Sequence, residues 1–133
     1  MPTMRNRLGT ALALATVAAV SLGFAGEAAA ATTIRCAIPR VGYGDCNSDN
    51  VTVSSGQKVY IDLNSSGGKE VKFQLRNKQG GHRLTNNGPW QKPIEGAFFM
   101  WTNNTNRSIT IDVFADAKPL RQKVSAIANI DVR

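Results

Sequence analysis

The sequence is poor in the residue types on which most enzymes and metal sites depend. It has one histidine and two cysteines, and aromatic residues make up 7% of the chain. Zinc sites need several cysteine or histidine ligands close together, so none is predicted. Nucleophilic catalysis needs a base beside the nucleophile, and the lone His82 lies in a Gly-rich polar segment that does not hold an imidazole in place. We therefore expect no catalytic residues, no metal and no cofactor.

The one long apolar run lies at the amino terminus. Arg5 and Arg7 precede an Ala/Leu/Val-rich stretch over residues 8–25, and small residues follow at 28–30. This order is typical of a secretory signal peptide, which predicts cleavage near Ala30 and an extracellular product. No later run is long enough to cross a membrane, so we expect no membrane partner.

The charge is unbalanced but not clustered. Beyond residue 30 the chain has 14 basic and 8 acidic residues, a net charge of +6, and these residues are spread along the sequence. The lack of a basic run argues against nucleic acid as a partner. The positive balance suits acidic proteins or anionic wall polymers, or it serves only solubility.

Short runs of alternating hydrophobicity begin at residue 51 and predict an all-β domain. The alternation recurs at residues 51–53, 58–63, 70–76, 108–114 and 124–132. Residues 97–101 are apolar without alternation, which predicts a strand covered on both faces. Six short strands separated by Gly-, Asn- and Ser-rich turns favour a small antiparallel β-sandwich or a partly open barrel. The connection over residues 77–95 is long enough to be either functional or mobile.

These features divide the chain into a signal peptide (1–30), an extended amino-terminal segment (31–50) and a β-sandwich domain (51–133). The middle segment holds both cysteines, Cys36 and Cys46. An exported chain can keep a disulfide, and a cross-link over about 11 residues removes roughly 3 kcal/mol of chain entropy from the unfolded state. We predict a disulfide-closed loop that protrudes from the β domain. The alternative is a covalent tie that holds the amino terminus against the sheet.

The predicted loop carries side chains suited to a protein partner. Pro39 fixes its own backbone and restrains the residue before it, so the segment around Arg40 should be extended. An extended segment with a central basic residue suits a trypsin-like cleft, and Tyr43 between two glycines should expose its ring. The predicted partner-binding residues are Ile38, Pro39, Arg40, Val41 and Tyr43.

Three functions follow from these residues. The first is a secreted, non-enzymatic adaptor that inserts the loop into a trypsin-like cleft and binds a second protein with its β domain. The second is a serine-protease inhibitor with Arg40 at the specificity position. The third is a cell-wall or glycan-binding protein, in which Trp90 and Trp101 stack on sugar rings and His82 lines the ligand loop; tryptophans in a small β domain more often pack around the core.

In overall plan the chain resembles the small adaptor subunit of the umbrella toxin particles of filamentous actinobacteria. The shared features are the Ala-rich export signal, the short segment with Cys36 and Cys46, and a compact β domain. In that family the adaptor joins lectin subunits, which carry degenerate trypsin-like domains, to a large toxin-bearing subunit. The resemblance implies that the segment from Thr32 to Cys46 enters the protease-like cleft and that the β domain binds the large subunit.

Overall fold

The computed structural model describes residues 31–85, 88–118 and 121–133, without the side chains of residues 47–49. The predicted signal peptide lies outside the described residues. The strands are β1 (Thr32–Ile38), β2 (Gly44–Val53), β3 (Lys58–Ser65), β4 (Glu70–Asn77), β5 (Ala97–Thr102), β6 (Ile109–Lys118) and β7 (Val124–Val132). The described part of the chain contains no helix long and apolar enough for a membrane span.

All seven strands belong to one sheet, in the order β4-β6-β2-β1-β7-β3-β5. Every neighbouring pair is antiparallel. The predicted fold class, an all-β antiparallel sandwich or partly open barrel, is confirmed in the form of a single open sheet. The first strand, β1, lies in the middle of the sheet and pairs with both β2 and β7.

One face of the sheet supplies the core, and the alternation in the sequence predicts it well. The buried apolar side chains of two strands are Val59, Ile61 and Leu63 on β3, and Val71, Phe73 and Leu75 on β4, none more than 1% exposed. The intervening Gln74 on β4 is also buried, at 2% exposed, and is the exception to the alternation there. Strand β7 buries every second residue from Val124 to Val132. Each fully buried side chain of this size contributes roughly 1.5–3 kcal/mol relative to an exposed one, so alternate burial fixes which face of each strand turns inward.

Residues 31–50 do not form a separate protruding segment. Both β1 and the first part of β2 lie inside the sheet, and Cys36 stands directly opposite Cys46. The two cysteines form a disulfide with Cα atoms 4.0 Å apart, and they are 3% and 1% exposed. The disulfide is therefore part of the core, and the predicted domain boundary at residue 50 falls within β2. The alternative of a tie between the amino terminus and the sheet describes this region better.

Strand β5 is an edge strand and not the doubly covered strand that its composition predicts. It pairs only with β3, and its residue Phe99 is 51% exposed. The Phe99 ring meets the Tyr60 ring edge-on, with centroids 5.7 Å apart. The apolar run therefore serves two purposes, because Met100 packs in the core while Phe99 covers an aromatic neighbour on the outer face.

The long connection before β5 runs along the free edge of β4. The N–H groups of Leu84 and Gly88 donate to the carbonyl oxygens of Leu75 and Phe73, at 2.8 and 2.9 Å. Gln91 then pairs with Val71 through two backbone hydrogen bonds of 2.8 and 2.9 Å. In its described part the connection thus acts as an irregular strand that satisfies the backbone groups of an otherwise exposed edge.

Replacing both cysteines by alanine (Cys36→Ala with Cys46→Ala) should lower the free energy of unfolding by about 3 kcal/mol, because the cross-link restricts the unfolded chain. Urea denaturation of the oxidised wild type and of the double variant measures the difference. The double serine variant should be less stable still, since its hydroxyls would lie in an apolar core. A loss below about 1 kcal/mol for the alanine variant would mean that this disulfide does little to stabilise the sheet.

Candidate functional site

The antiparallel order gathers the connections at two opposite ends of the sheet. One end, called the hairpin end, carries the connections at residues 39–43, 66–69, 92–96 and 121–123. The other end, called the groove end, carries those at residues 54–57, 78–82 and 103–108. The predicted partner-binding residues at the β1–β2 connection and the polar groove described below therefore lie at opposite ends of the sheet.

The β1–β2 connection, residues 39–43, forms a projection that we call the hairpin tip. Pro39 and Arg40 are exposed, and Val41 is 72% exposed. The disulfide joins the two strands at the root of the tip. At its apex the N–H of Arg121 donates to the carbonyl oxygen of Arg40 at 2.7 Å. The tip is held at both places while the side chains of Arg40 and Val41 face solvent.

A glycine at position 44 is required for the two strands to close beneath the hairpin tip. A Cβ atom added to Gly44 would lie 2.1 Å from the carbonyl oxygen of Ala37 and 2.9 Å from the Cα of Ile38. Both are backbone atoms of the facing strand, which cannot rotate away as a side chain can. Gly44, which follows Tyr43 in the sequence, therefore allows the two strands to approach each other closely.

Two of the predicted contact residues are not displayed at the tip. Ile38 is 2% exposed and faces the core, so it contributes to the fold and not to a contact. Tyr43 is half-buried, and the Nζ of Lys72 lies 5.9 Å from its ring centroid. Burial raises the pKa of the Tyr43 hydroxyl, and the nearby Asp116 carboxylate raises it further. The expectation of a freely exposed Tyr43 ring is wrong, because the ring packs beside charged groups of the sheet.

Lys72, Trp90 and Lys118 form, with Tyr43, a cluster that we call the aromatic–cation patch. The ammonium groups of Lys72 and Lys118 lie 4.7 and 5.4 Å from the centroid of the Trp90 ring. Cations at such distances over a tryptophan are attracted by its π-system. The Lys118 ammonium also lies 3.9 Å from the Glu70 carboxylate. The patch is therefore a preformed group of side chains on the outer face, near the hairpin end.

The three predicted ligand-loop residues have different surroundings and build no common platform. Trp90 belongs to the aromatic–cation patch, and Trp101 is half-buried on β5, packed against the core. His82 is exposed at the groove end. A sugar-stacking site that combines the two tryptophans with His82 therefore has no support in the arrangement of these side chains.

Ile94 combines high exposure with an unfavourable backbone conformation. Its side chain is 88% exposed, and its φ angle is 68°. A β-branched residue in this left-handed region is a conformational outlier. The turn is fixed on both sides, because the Lys92 N–H donates to the Glu95 carboxylate at 2.7 Å and the Ile94 N–H donates to the Leu63 carbonyl at 3.0 Å. Nothing in the sequence pattern marks this residue, since turns of this kind usually carry glycine or asparagine.

A polar groove of about 780 Å³ opens at the groove end. Hydroxyl groups of residues 105, 108 and 110 contribute to its wall. Its nitrogen-bearing side chains are Asn50, Asn77, Lys78, Gln79, His82 and Arg107. Sequence reasoning predicts only His82 among these residues, because the groove is lined by three separate segments of the chain that only the folded sheet brings together.

One buried asparagine holds the wall of the groove in place. The side-chain amide nitrogen of Asn103, which is 0% exposed, donates to the carbonyl oxygens of Val53 and Arg107 at 2.9 and 2.8 Å. Its amide oxygen accepts hydrogen bonds from the N–H and the hydroxyl of Thr105 at 3.0 and 2.6 Å. All of its polar atoms are satisfied, so the turn between β5 and β6 is fixed to the end of β2.

Comparison with protein families, with curated proteins and with solved structures finds no match for this chain. Within the described residues no group of three or more histidine, cysteine or acidic side chains is placed to hold a metal ion. Function is therefore inferred from the two ends of the sheet and from the aromatic–cation patch.

Replacing Ile94 by asparagine should raise the free energy of unfolding by about 1 kcal/mol, because asparagine tolerates the left-handed region at less cost. Thermal or urea denaturation measures the change. The matched control is Val41→Asn, which exchanges another exposed aliphatic residue whose φ is not positive and should be nearly neutral. Equal effects of the two substitutions would contradict the assignment of strain to Ile94.

Replacing Asn103 by alanine should cost about 2–3 kcal/mol of stability, because it leaves the buried carbonyl oxygen of Val53 without its side-chain donor and removes the hydrogen bonds of the amide to Arg107 and Thr105. Denaturation of the variant measures the loss. Its exposed neighbour provides the control, since Asn104→Ala should stay within about 0.5 kcal/mol of the wild type. If both substitutions have the same effect, the hydrogen bonds of Asn103 do not hold this end of the sheet.

Proposed function

We propose that this chain is a secreted, non-enzymatic adaptor that inserts its hairpin tip into a recess on a partner protein. The main support for this proposal is that Arg40 and Val41 are exposed on a tip of fixed shape. The Cys36–Cys46 disulfide holds the tip at its root, and the Arg121 backbone holds it at its apex. The recess expected for such a segment is a cleft of the trypsin-like kind, whether active or degenerate.

The fixed shape of the tip supports a binding role. A flexible loop loses conformational entropy when a partner immobilises it, at a cost of roughly 0.5–1.5 kcal/mol per ordered side chain. Here the backbone around Arg40 is already restrained before any contact. An exposed arginine beside an exposed valine then offers a charged group and an apolar surface in one small projection, and arginine is frequent among residues that dominate binding energy.

An adaptor needs a second contact surface, and the aromatic–cation patch is the best candidate. Trp90 is half-buried, and its ring is flanked by Lys72 and Lys118. Interfaces are enriched in aromatic residues, and prearranged side chains lose little freedom on binding. We assign this patch to the second protein partner. A disulfide of this kind persists mainly in oxidising compartments, which supports secretion.

The hydrogen bonding of the hairpin tip argues against the alternative of a serine-protease inhibitor. A protease acts on a carbonyl group whose oxygen must reach the enzyme's own backbone donors. The carbonyl oxygen of Arg40 already accepts a hydrogen bond from the Arg121 N–H at 2.7 Å. Substrate-like binding at Arg40 would have to break this contact, whereas insertion of the side chains alone would not.

Affinity capture from the culture fluid of the producing organism should retain a protein partner in stoichiometric amounts. The variant carrying Arg40→Ala and Val41→Ala should bind the captured partner at least about tenfold more weakly, since it loses both displayed side chains. The control Lys58→Ala removes an exposed cation at the groove end and should bind as the wild type does. Calorimetric titration of the purified components measures these affinities.

If the double variant binds the partner as tightly as the wild type does, the hairpin tip is not the contact surface.

A separate trypsin assay distinguishes the adaptor from the inhibitor. We expect the wild-type protein at micromolar concentration to leave trypsin activity unchanged; inhibition that Arg40→Ala abolishes would favour the inhibitor over the adaptor.

A further inference from the structure

We infer that the groove at the groove end is a second binding site, for an anionic polyhydroxylated ligand. This site lies at the opposite end of the sheet from the hairpin tip and shares no residue with it. The inference goes beyond the proposed adaptor function and stands independently of it. It rests on the chemistry of the lining, on cations that form no salt bridge within the described residues, and on walls that hydrogen bonds hold in place.

The lining has the composition that a polyhydroxylated molecule needs. Side-chain amides come from Asn50, Asn77 and Gln79, and they can both donate to and accept from hydroxyl groups. Hydroxyl side chains of residues 105, 108 and 110 add further donors and acceptors. The aliphatic lining comes from Ile109 and is small, so an apolar ligand would find little surface to cover.

The charge of the groove selects an anion. Lys78 and Arg107 line it together with His82, and none of the described side chains that line it is acidic. Within the described residues the salt bridges join other cations to acids, namely Lys118 to Glu70 and Arg133 to Asp131. Neither groove cation is therefore held by an acid there, and both can donate charge-assisted hydrogen bonds to a ligand.

Asp45 is the acid on which Lys78 acts, and it does not neutralise the groove. Burial raises the pKa of the Asp45 carboxyl, and the neighbouring Asp112 raises it further. Lys78 and Arg76 oppose this shift without overcoming it. Within the described residues Lys78 forms no salt bridge with Asp45, so its ammonium group is left for a ligand.

The walls of the groove are fixed by backbone hydrogen bonds. The N–H of Lys78 donates to the Thr110 carbonyl at 2.9 Å, and the N–H of Asn77 donates to the His82 carbonyl at 2.9 Å. The side-chain oxygen of Asn77 accepts from the Gln79 N–H at 2.9 Å. Together with the Asn103 network, these bonds set the positions of the lining segments before a ligand arrives, which lowers the entropy lost on binding.

Two kinds of polymer share the required chemistry. A polysaccharide that contains uronic acid presents hydroxyl groups with carboxylates, and a polyol-phosphate polymer presents them with phosphodiesters. In both polymers the oxygen atoms can form hydrogen bonds with the amides and hydroxyls of the wall, and the negative charges can pair with the cations. The groove volume of about 780 Å³ has room for a short stretch of either chain, so binding experiments must distinguish the two.

The test titrates the purified protein at physiological salt with four probes: oligogalacturonate, poly(glycerol phosphate), a neutral cello-oligosaccharide and polyaspartate. We expect at least one of the first two to bind. The neutral sugar and polyaspartate should each bind at least about tenfold more weakly, because the first lacks the charge and the second lacks the hydroxyl groups. Whichever of the first two binds more tightly identifies the source of the ligand.

A charge-matched pair of variants locates the site. Lys78→Gln combined with Arg107→Gln should weaken binding of the preferred probe at least about tenfold, since two charge-assisted hydrogen bonds are lost. Lys69→Gln combined with Lys123→Gln makes the same change in net charge at the hairpin end and should alter the affinity less than about twofold if the groove is the site. Circular dichroism verifies that all four substitutions leave the fold intact.

Several outcomes would overturn the inference. Failure of both polyanionic polyols to bind at millimolar concentration would remove the site, and equal binding of polyaspartate would show that only charge is recognised. Equal losses in the two double variants would place the effect in the overall charge of the protein. None of these outcomes bears on the hairpin tip, whose own test uses different residues and a protein partner.

Discussion

The central position of β1 is the constraint on which the rest of the structure depends. This strand joins one half of the sheet, β4-β6-β2, to the other half, β7-β3-β5, through hydrogen bonds on both of its edges. The disulfide fixes β1 to β2, and seven residue pairs fix it to β7. Without this strand, two three-stranded sheets would each expose an edge and part of the core face.

The outer edge of the sheet at β4 is covered by the long connection before β5. It pairs with β4 through Gln91 and then reaches β3, where the Ile94 N–H meets the Leu63 carbonyl. This arrangement has local costs. Ile94 adopts a left-handed backbone, and the buried side-chain amide of Gln91 has no hydrogen-bond partner within the described residues. Such costs of about 1–3 kcal/mol each persist only where the surrounding structure imposes them.

The same framework separates the two candidate contact regions. Because neighbouring strands run in opposite directions, the β1–β2 tip and the start of β6 lie at opposite ends of one rigid sheet. The proposed protein partner and the proposed anionic ligand would therefore contact opposite ends of the sheet. This geometry suits a protein that connects other molecules, since the distance between its contacts is set by the lengths of the strands.

Prediction from sequence succeeds where the alternation of apolar and polar residues alone decides which face of a strand is buried. The inward faces of β3, β4 and β7 follow from alternation, because burial of every second residue is a local property of a strand. It fails at β1, where Ile34, Cys36 and Ile38 alternate inward as in any other strand, because two closely spaced cysteines also indicate a closed loop. It also fails at β5, since an apolar run does not reveal whether a strand lies at the edge or the centre of a sheet.

Residue type and short-range spacing are enough to predict the all-β class, the core faces of β3, β4 and β7 and the pairing of the two cysteines. The folded structure is needed to show that β1 is central, that the disulfide is buried and that Ile38 is unavailable for contact. It alone brought Lys78, His82 and Arg107 to one groove and two lysines to the ring of Trp90. The physical reason is that strand order and the meeting of distant segments arise from long-range pairing, which leaves no periodic trace in the chain.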